Sequence, residues 1–246
     1  MRKFRLITQT ITLTPAQLGT IVFQELELDS NYKRCIGVCG VLTNLPQNDA
    51  IRLSLKDNED TFIEDASSGF FKSNQSLFPA KNFIKINLPC SGNKITVSAV
   101  IPTAGIGLSF SMDLIYLLTN SDEPIGPRIK YQSQSIIIPI GSAPSKKEDS
   151  VALDPHYDRC TGLTALFISQ IVQDYLRLSF DDSFGNVINK IPQNIVIFNN
   201  FAQHKERFYD IDIPAKGNHV NVQSEPIAVT GAEVDFDIIY KLERKA

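Results

Sequence analysis

The sequence predicts an all-β protein made of two tandem copies of one fold, each copy a sandwich or barrel of about eight short strands. Three observations carry this. The first is an internal repeat at an offset of 125 residues. Leu28-Asp29-Ser30-Asn31-Tyr32-Lys33-Arg34-Cys35-Ile36-Gly37 returns as Leu153-Asp154-Pro155-His156-Tyr157-Asp158-Arg159-Cys160-Thr161-Gly162. The offset holds at Arg52-Leu53-Ser54 and Arg177-Leu178-Ser179, at Asp57 and Asp182, at Pro89 and Pro214, and at Gly92-Asn93 and Gly217-Asn218. One residue is then lost, so that Asp113-Leu114-Ile115-Tyr116 answers to Asp237-Ile238-Ile239-Tyr240. The second is a two-residue apolar period, clear at Ile84, Ile86 and Leu88 and at Ile95, Val97 and Ala99, which places one strand face on a core and the other toward solvent. The third is regular turn punctuation, as at Asp57 to Asp60 and Pro89 to Asn93, the spacing of an all-β domain.

The strands of the first copy are expected near residues 3–13, 18–28, 34–43, 50–57, 61–65, 82–88, 93–101 and 107–118. The run 34–43 is apolar at most positions, as in a strand covered on both faces. The second copy repeats most of this. Its counterpart to Gln17–Glu27 is Ser142–Ala152, which contains Pro144-Ser145-Lys146-Lys147-Glu148-Asp149-Ser150 and reads as an exposed loop in place of an early strand or part of it. Asp65–Ala80 and Pro192–Gln203 are the least regular segments and hold Phe70, Phe71, Phe78, Phe198 and Phe201. They read as long loops or a helical turn, anchored by their aromatics to the core beneath.

Between the copies, Thr119–Arg128 has the Asn, Ser, Asp, Gly and Pro content of a linker. The expected division is a first domain at 1–120, a linker at 121–132 and a second domain at 133–246. A period this long marks duplication; repeat arrays have periods of roughly 20–50 residues.

Composition is ordinary for a globular protein, with 43% apolar and 21% charged residues. The first residues are basic and then polar, without the apolar core of a signal peptide. The net charge of −3 argues against a chain-wide nucleic-acid surface. Residues 28–118 carry eight basic and eight acidic side chains, and residues 153–242 carry seven and twelve. The copies thus differ in surface charge, as expected if they meet different neighbours.

No catalytic signature of the Walker, GxSxG, HExxH or GxGxxG type occurs. Cys35 and Cys160 are repeat equivalents, and with Cys39 and Cys90 they read as small buried residues. Three histidines, His156, His204 and His219, supply no ligand cluster for a metal. The acids of Asp57-Asn58-Glu59-Asp60 have the oxygen content of a calcium loop, but the second copy keeps only Asp182 among them, which favours a plain hairpin turn. Asp29, Tyr32 and Arg34, repeated as Asp154, Tyr157 and Arg159, are either a site present twice or a structural device at a strand entry. The structural reading is preferred because the copies share the fold: the pairs then satisfy local backbone or carboxylate groups, and Asp29 and Asp154 are near enough in sequence to be those carboxylates. Arg2, Lys3 and Arg5 form a small basic end, solvated or in contact with an anionic surface.

Two eight-strand sandwiches in tandem, with no secretion signal, active-site motif or tryptophan, resemble the double jelly-roll major capsid proteins of small tailless icosahedral bacteriophages with an internal membrane. Within these, the chain is similar to the compact coat proteins of Flavobacterium-infecting single-stranded DNA phages. The resemblance spans the whole chain as a layout and carries over no functional residue. It implies two jelly rolls, a structural and non-enzymatic role without a cofactor, and homotrimers of pseudo-hexameric outline that tile an icosahedral shell. The implied partners are other copies of the chain, neighbouring trimers, further capsid proteins such as a penton, and an internal viral membrane toward which Arg2, Lys3 and Arg5 would lie. No sequence-specific nucleic-acid binding is implied. The implied location is the virion capsid, after synthesis in the host cytoplasm. The alternative is a tandem β-sandwich module for carbohydrate binding, adhesion or a fibre, against which the lack of tryptophan counts. A third reading, a bicupin enzyme, needs histidine and carboxylate metal ligands within a copy, and the scatter of the three histidines counts against it.

Overall fold

A computed structural model describes residues 4–44, 51–72, 83–101, 109–121, 126–139, 141, 146–168, 176–185, 187–192, 196, 207–226 and 233–244. The described chain divides into two units, residues 4–131 and 132–244. In the first unit the strands are β1 (Phe4–Leu13), β2 (Val22–Glu27), β3 (Arg34–Asn44), β4 (Arg52–Lys56), β5 (Thr61–Ser67), β6 (Ile84–Pro89), β7 (Lys94–Val100) and β8 (Phe110–Thr119). They run in the orders β1-β8-β3-β6 and β2-β7-β4-β5. The next eight are β9 (Arg128–Ile138), β10 (Lys147–Ala152), β11 (Arg159–Phe167), β12 (Leu176–Asp182), β13 (Val187–Pro192), β14 (Tyr209–Pro214), β15 (His219–Pro226) and β16 (Val234–Arg244). Their orders are β9-β16-β11-β14 and β10-β15-β12-β13. Raising every label of the first pair of rows by eight yields the second pair. Each copy is a jelly roll, in which hairpins wrap so that strands distant in sequence pair.

Each roll closes on the alternating apolar face of its strands. Ile11 and Leu13 of β1, Leu53 and Leu55 of β4, Ile95 and Val97 of β7, and Met112, Leu114 and Tyr116 of β8 are all buried in the first. In the second, Ile136 and Ile138, Leu176 and Leu178, Val220 and Val222, and Phe236, Ile238 and Tyr240 form one apolar cluster. Each such side chain contributes about 1.5–3 kcal/mol by leaving water. The buried tyrosines keep a polar partner at matching places. Tyr116 Oη donates to Gln9 Oε1 at 2.9 Å, and Tyr240 Oη to Gln134 Oε1 at 2.8 Å. Pairing register breaks in both rolls at the same bulge, Cys35/Gly37 and Cys160/Gly162. Glycine is needed there because the next strand's aromatic lies against it. A Cβ on Gly37 would sit 2.7 Å from Phe83 Cβ, and one on Gly162 would sit 3.0 Å from Phe208 Cβ.

Ser142–Ala152 departs from the expected loop. Its first part, 142–145, lies outside the described residues, but Lys147–Ala152 is strand β10, paired with β15 from Lys147↔Ser224 to Ala152↔His219. It is the residue-for-residue counterpart of β2, which pairs from Val22↔Ala99 to Glu27↔Lys94. Its burial only alternates between partial and exposed, so no apolar stripe is required. An edge strand needs backbone pairing on one side and often carries charges on the other. Asp65–Ala80 begins as β5 and then turns as the short helix α1 (Ser68–Phe71), whose first turn is capped by Ser67 Oγ accepting from Gly69 N. Phe70 and Phe71 are buried. Phe78, Phe198 and Phe201 lie outside the described residues. The segment that reads as a linker ends in a strand, since β9 starts at Arg128 and carries the chain from the first unit into the second.

Candidate functional site

Each roll has a tethered end built from the repeated residues. Asp29 Oδ1 accepts from Asn31 N at 2.9 Å, and Asp29 O accepts from Tyr32 N at 3.0 Å. Asp154 does the same with His156 N at 2.9 Å and Tyr157 N at 3.2 Å. Both aspartates therefore shape a turn that leads into a strand. The bonds from Asn31 hold the Asp29 carboxyl below its ordinary range, and the Arg5 guanidinium beside it adds to this.

The arginines do not pair with these aspartates, contrary to the sequence expectation. Arg34 Nε donates to Asn87 Oδ1 at 2.5 Å, and Arg159 Nε to Asp212 Oδ1 at 2.6 Å. Asn87 and Asp212 are themselves repeat equivalents, on β6 and β14 beside the arginine's own strand. The turn takes up the aspartate first, leaving the arginine to reach across the sheet. Tyr157 is buried with Arg244 stacked 5.7 Å over its ring, while Tyr32 is half-buried.

A second tether is shared. Asn93 Nδ2 donates to Asp57 Oδ2 at 3.4 Å and to Pro89 O at 3.0 Å, while its Oδ1 accepts from Asn58 N at 3.1 Å. Asn218 repeats each bond, to Asp182 Oδ2 at 3.0 Å, to Pro214 O at 2.8 Å, and from Ser183 N at 3.0 Å. One asparagine thus ties two turns together in each roll.

The rolls differ in what lies against this clasp. In the first unit, Asp57 Oδ1 also accepts from Glu59 N, Asp60 N and Arg128 Nη2, at 3.0, 2.8 and 2.7 Å. Arg128 Nη1 reaches Glu59 Oε2 at 2.8 Å. The Asp57 side chain is fully buried, so its oxygens serve the turn and the arginine. Asn87 Nδ2 donates to Gly126 O at 2.5 Å, and Tyr131 Oη donates to Lys85 O at 2.9 Å with its ring 5.3 Å from that of Phe70. In the second unit, Asp181, Asp182, Asp210 and Asp212 line a cleft of about 320 Å³ floored by Leu163 and Tyr240.

The four cysteines are buried and unbridged. Burial pushes their thiols up, Cys39 and Cys90 to about 11 and Cys160 to about 12, with Cys35 raised as well. They are protonated at neutral pH and pack as apolar groups. Arg2 and Lys3 lie outside the described residues, and Arg5 pairs with Asp29. Phe4 and Leu6 beside it are 53% and 56% exposed. No helix among the described residues is long and apolar enough to cross a membrane.

No protein-family model matches the sequence, and no curated protein matches it. Solved structures do match its fold. The chain is similar over its whole length to the major capsid protein P2 from bacteriophage PM2, with 98% of that chain covered, 8% identity and a TM-score of 0.53. It is similar over its whole length to a chain of the PBCV-1 virus capsid, with 96% covered, 7% identity and a TM-score of 0.50. At such identities the shared property is the double jelly-roll fold.

Proposed function

We propose that this protein is a viral major capsid protein whose copies assemble as homotrimeric, pseudo-hexameric tiles of an icosahedral shell. The observation that carries the reading is the strand-for-strand repetition of a jelly roll within one chain. Three chains with two near-equal units each supply six units around one axis. Whole-length similarity to two capsid chains supports the same reading, and two rolls within 246 residues fit a compact coat protein of the kind found in Flavobacterium-infecting single-stranded DNA phages. Its partners are then other copies of itself, adjoining tiles and a vertex protein, and its work is done by surfaces between chains. The location that follows is the virion, after synthesis in the host cytoplasm. Light scattering of the purified chain tests this. A stable mass of three chains, and hexagonal particles by electron microscopy, are expected. A monomer at all concentrations that binds glycans would overturn it in favour of a carbohydrate-binding or adhesion module.

A further inference from the structure

We infer that the acidic cleft of the second unit is the docking site for the N-terminal strand of another copy of the chain, with Phe4, Arg5 and Leu6 as the inserted part. This rests on the assembly reading above and specifies its contact.

The chain carries its own template for that contact. In the first unit the stretch 126–131 is seated by three positions: Asn87 holds Gly126, Asp57 holds Arg128, and Lys85 holds Tyr131. Lys130 adds an ion pair to Glu64 at 2.8 Å. Moving each partner by the repeat offset is informative. One repeat earlier, the seated stretch becomes residues 1–6, so that Phe4, Arg5 and Leu6 stand where Ile129, Lys130 and Tyr131 stand. One repeat later, the seat becomes Asp212, Asp182 and Asp210, and all three line the cleft. Ile129, Lys130 and Tyr131 are buried, whereas Phe4 and Leu6 project as apolar side chains more than half exposed.

Chemistry distinguishes the two seats. Lys85 and Asn87 of the first are replaced by Asp210 and Asp212 in the second, and Lys56 by Asp181. The second seat therefore presents the carboxylates of Asp181, Asp182 and Asp210 beside Asp212, which Arg159 already pairs, and the segment offered to it carries Arg2, Lys3 and Arg5, the last exchanging its own chain's Asp29 for the cleft. Glu59, which pairs with Arg128, is replaced by Phe184, which is 59% exposed and extends the apolar surface available to Phe4 and Leu6. Opposite charge favours this partner and disfavours exchange with the 126–131 stretch. The contact is head-to-tail, the kind that generates a closed ring when its rotation closes.

The test uses the full chain, with mass followed by light scattering over a dilution series and folding checked by circular dichroism. Phe4→Ser with Leu6→Ser, which alters only exposed side chains, is expected to raise the dissociation midpoint at least tenfold. Arg5→Glu is expected to raise it too, and adding Asp210→Lys, which installs the first seat's residue, is expected to restore part of the loss. As a check on the unmodified protein, carbodiimide coupling of mixed isotope-labelled and unlabelled chains is expected to join the Lys3 peptide of one to a peptide holding Asp181, Asp182 or Asp210 of another. If the wild type is oligomeric, and neither the variants nor the cross-links behave so, the docking inference falls and the tile reading stands. A wild type monomeric at every concentration sinks both. Should the serine variant keep its mass but lose binding to vesicles of one part phosphatidylglycerol to three parts phosphatidylcholine, the segment serves a membrane and the inference is overturned.

Discussion

The Asp57 turn and the Asp182 turn start from the same residue and the same asparagine clasp, yet one is covered and the other opens on a cleft. Around Asp57 the carboxylate meets Arg128 in a buried ion pair, with the two side chains 0% and 10% exposed. Asp182 meets Phe184 N at 3.0 Å and its clasp asparagine. The difference shows which features of a duplicated fold are held fixed. Each roll must close its own sandwich, so bulge, tyrosine–glutamine pair and clasp persist in both. Surface residues are under no such demand, and there the copies diverge in charge.

The largest break in this comparison is expected from Asp57→Ala. Removing it leaves Arg128 buried without its main carboxylate, a change that costs about 3–5 kcal/mol. Asp182→Ala forfeits hydrogen bonds to Phe184 N and Asn218 in a half-exposed turn and should cost less, about 1–3 kcal/mol. Urea unfolding of the two variants measures the gap, and equal losses would show that Arg128 contributes nothing net. Next come the bulge glycines. Gly37→Ala and Gly162→Ala both force a Cβ against an aromatic, at about 1–3 kcal/mol, with the tighter Gly37 site expected to lose more. Tyr116→Phe and Tyr240→Phe probe what the rolls share. Each should lose about 1–2 kcal/mol through an orphaned glutamine oxygen, and a clear inequality in thermal unfolding would argue that the two interiors are not equivalent.

The smallest effect concerns Asp29. Its carboxyl is held below the ordinary value of 3.8 in the folded chain. A lowered folded pKa stabilises above the unfolded value, and that contribution disappears as pH falls through the folded one. Acid unfolding of Asp29→Asn should therefore be slightly less steep than that of the wild type below about pH 4, with the curves meeting at the acid end.

Much of the fold was legible as alternation. Ile84, Ile86 and Leu88 announce β6 because a half-buried strand must place apolar groups at every second position. The same logic missed β10, since Lys147-Glu148-Asp149-Ser150 carries no apolar stripe and its strand state comes from pairing with β15. At the tethers, Asp29, Tyr32, Arg34 and their repeats were visible as recurring residues, but their partners were not. Arg34 meets Asn87 from 53 positions away. Asn87 and Asp212 occupy equivalent positions without being identical, so the repeat itself gave no signal. Arg128 was masked differently. It sits at the end of a stretch with linker composition, and only the start of β9 carries it to Asp57.

By itself the sequence determined that there are two copies, that both are built of strands, and that turns fall at Asp57 to Asp60 and Pro89 to Asn93. These follow from local periodicity and from residues recurring at one spacing. Tertiary structure decided the strand order, the cross-sheet partners of the arginines, and the contrast between a seat filled by residues 126–131 and an acidic cleft at the equivalent place. The physical reason is that strand pairing and buried ion pairs are made between positions tens of residues apart, and chain closure, which no local pattern encodes, selects them.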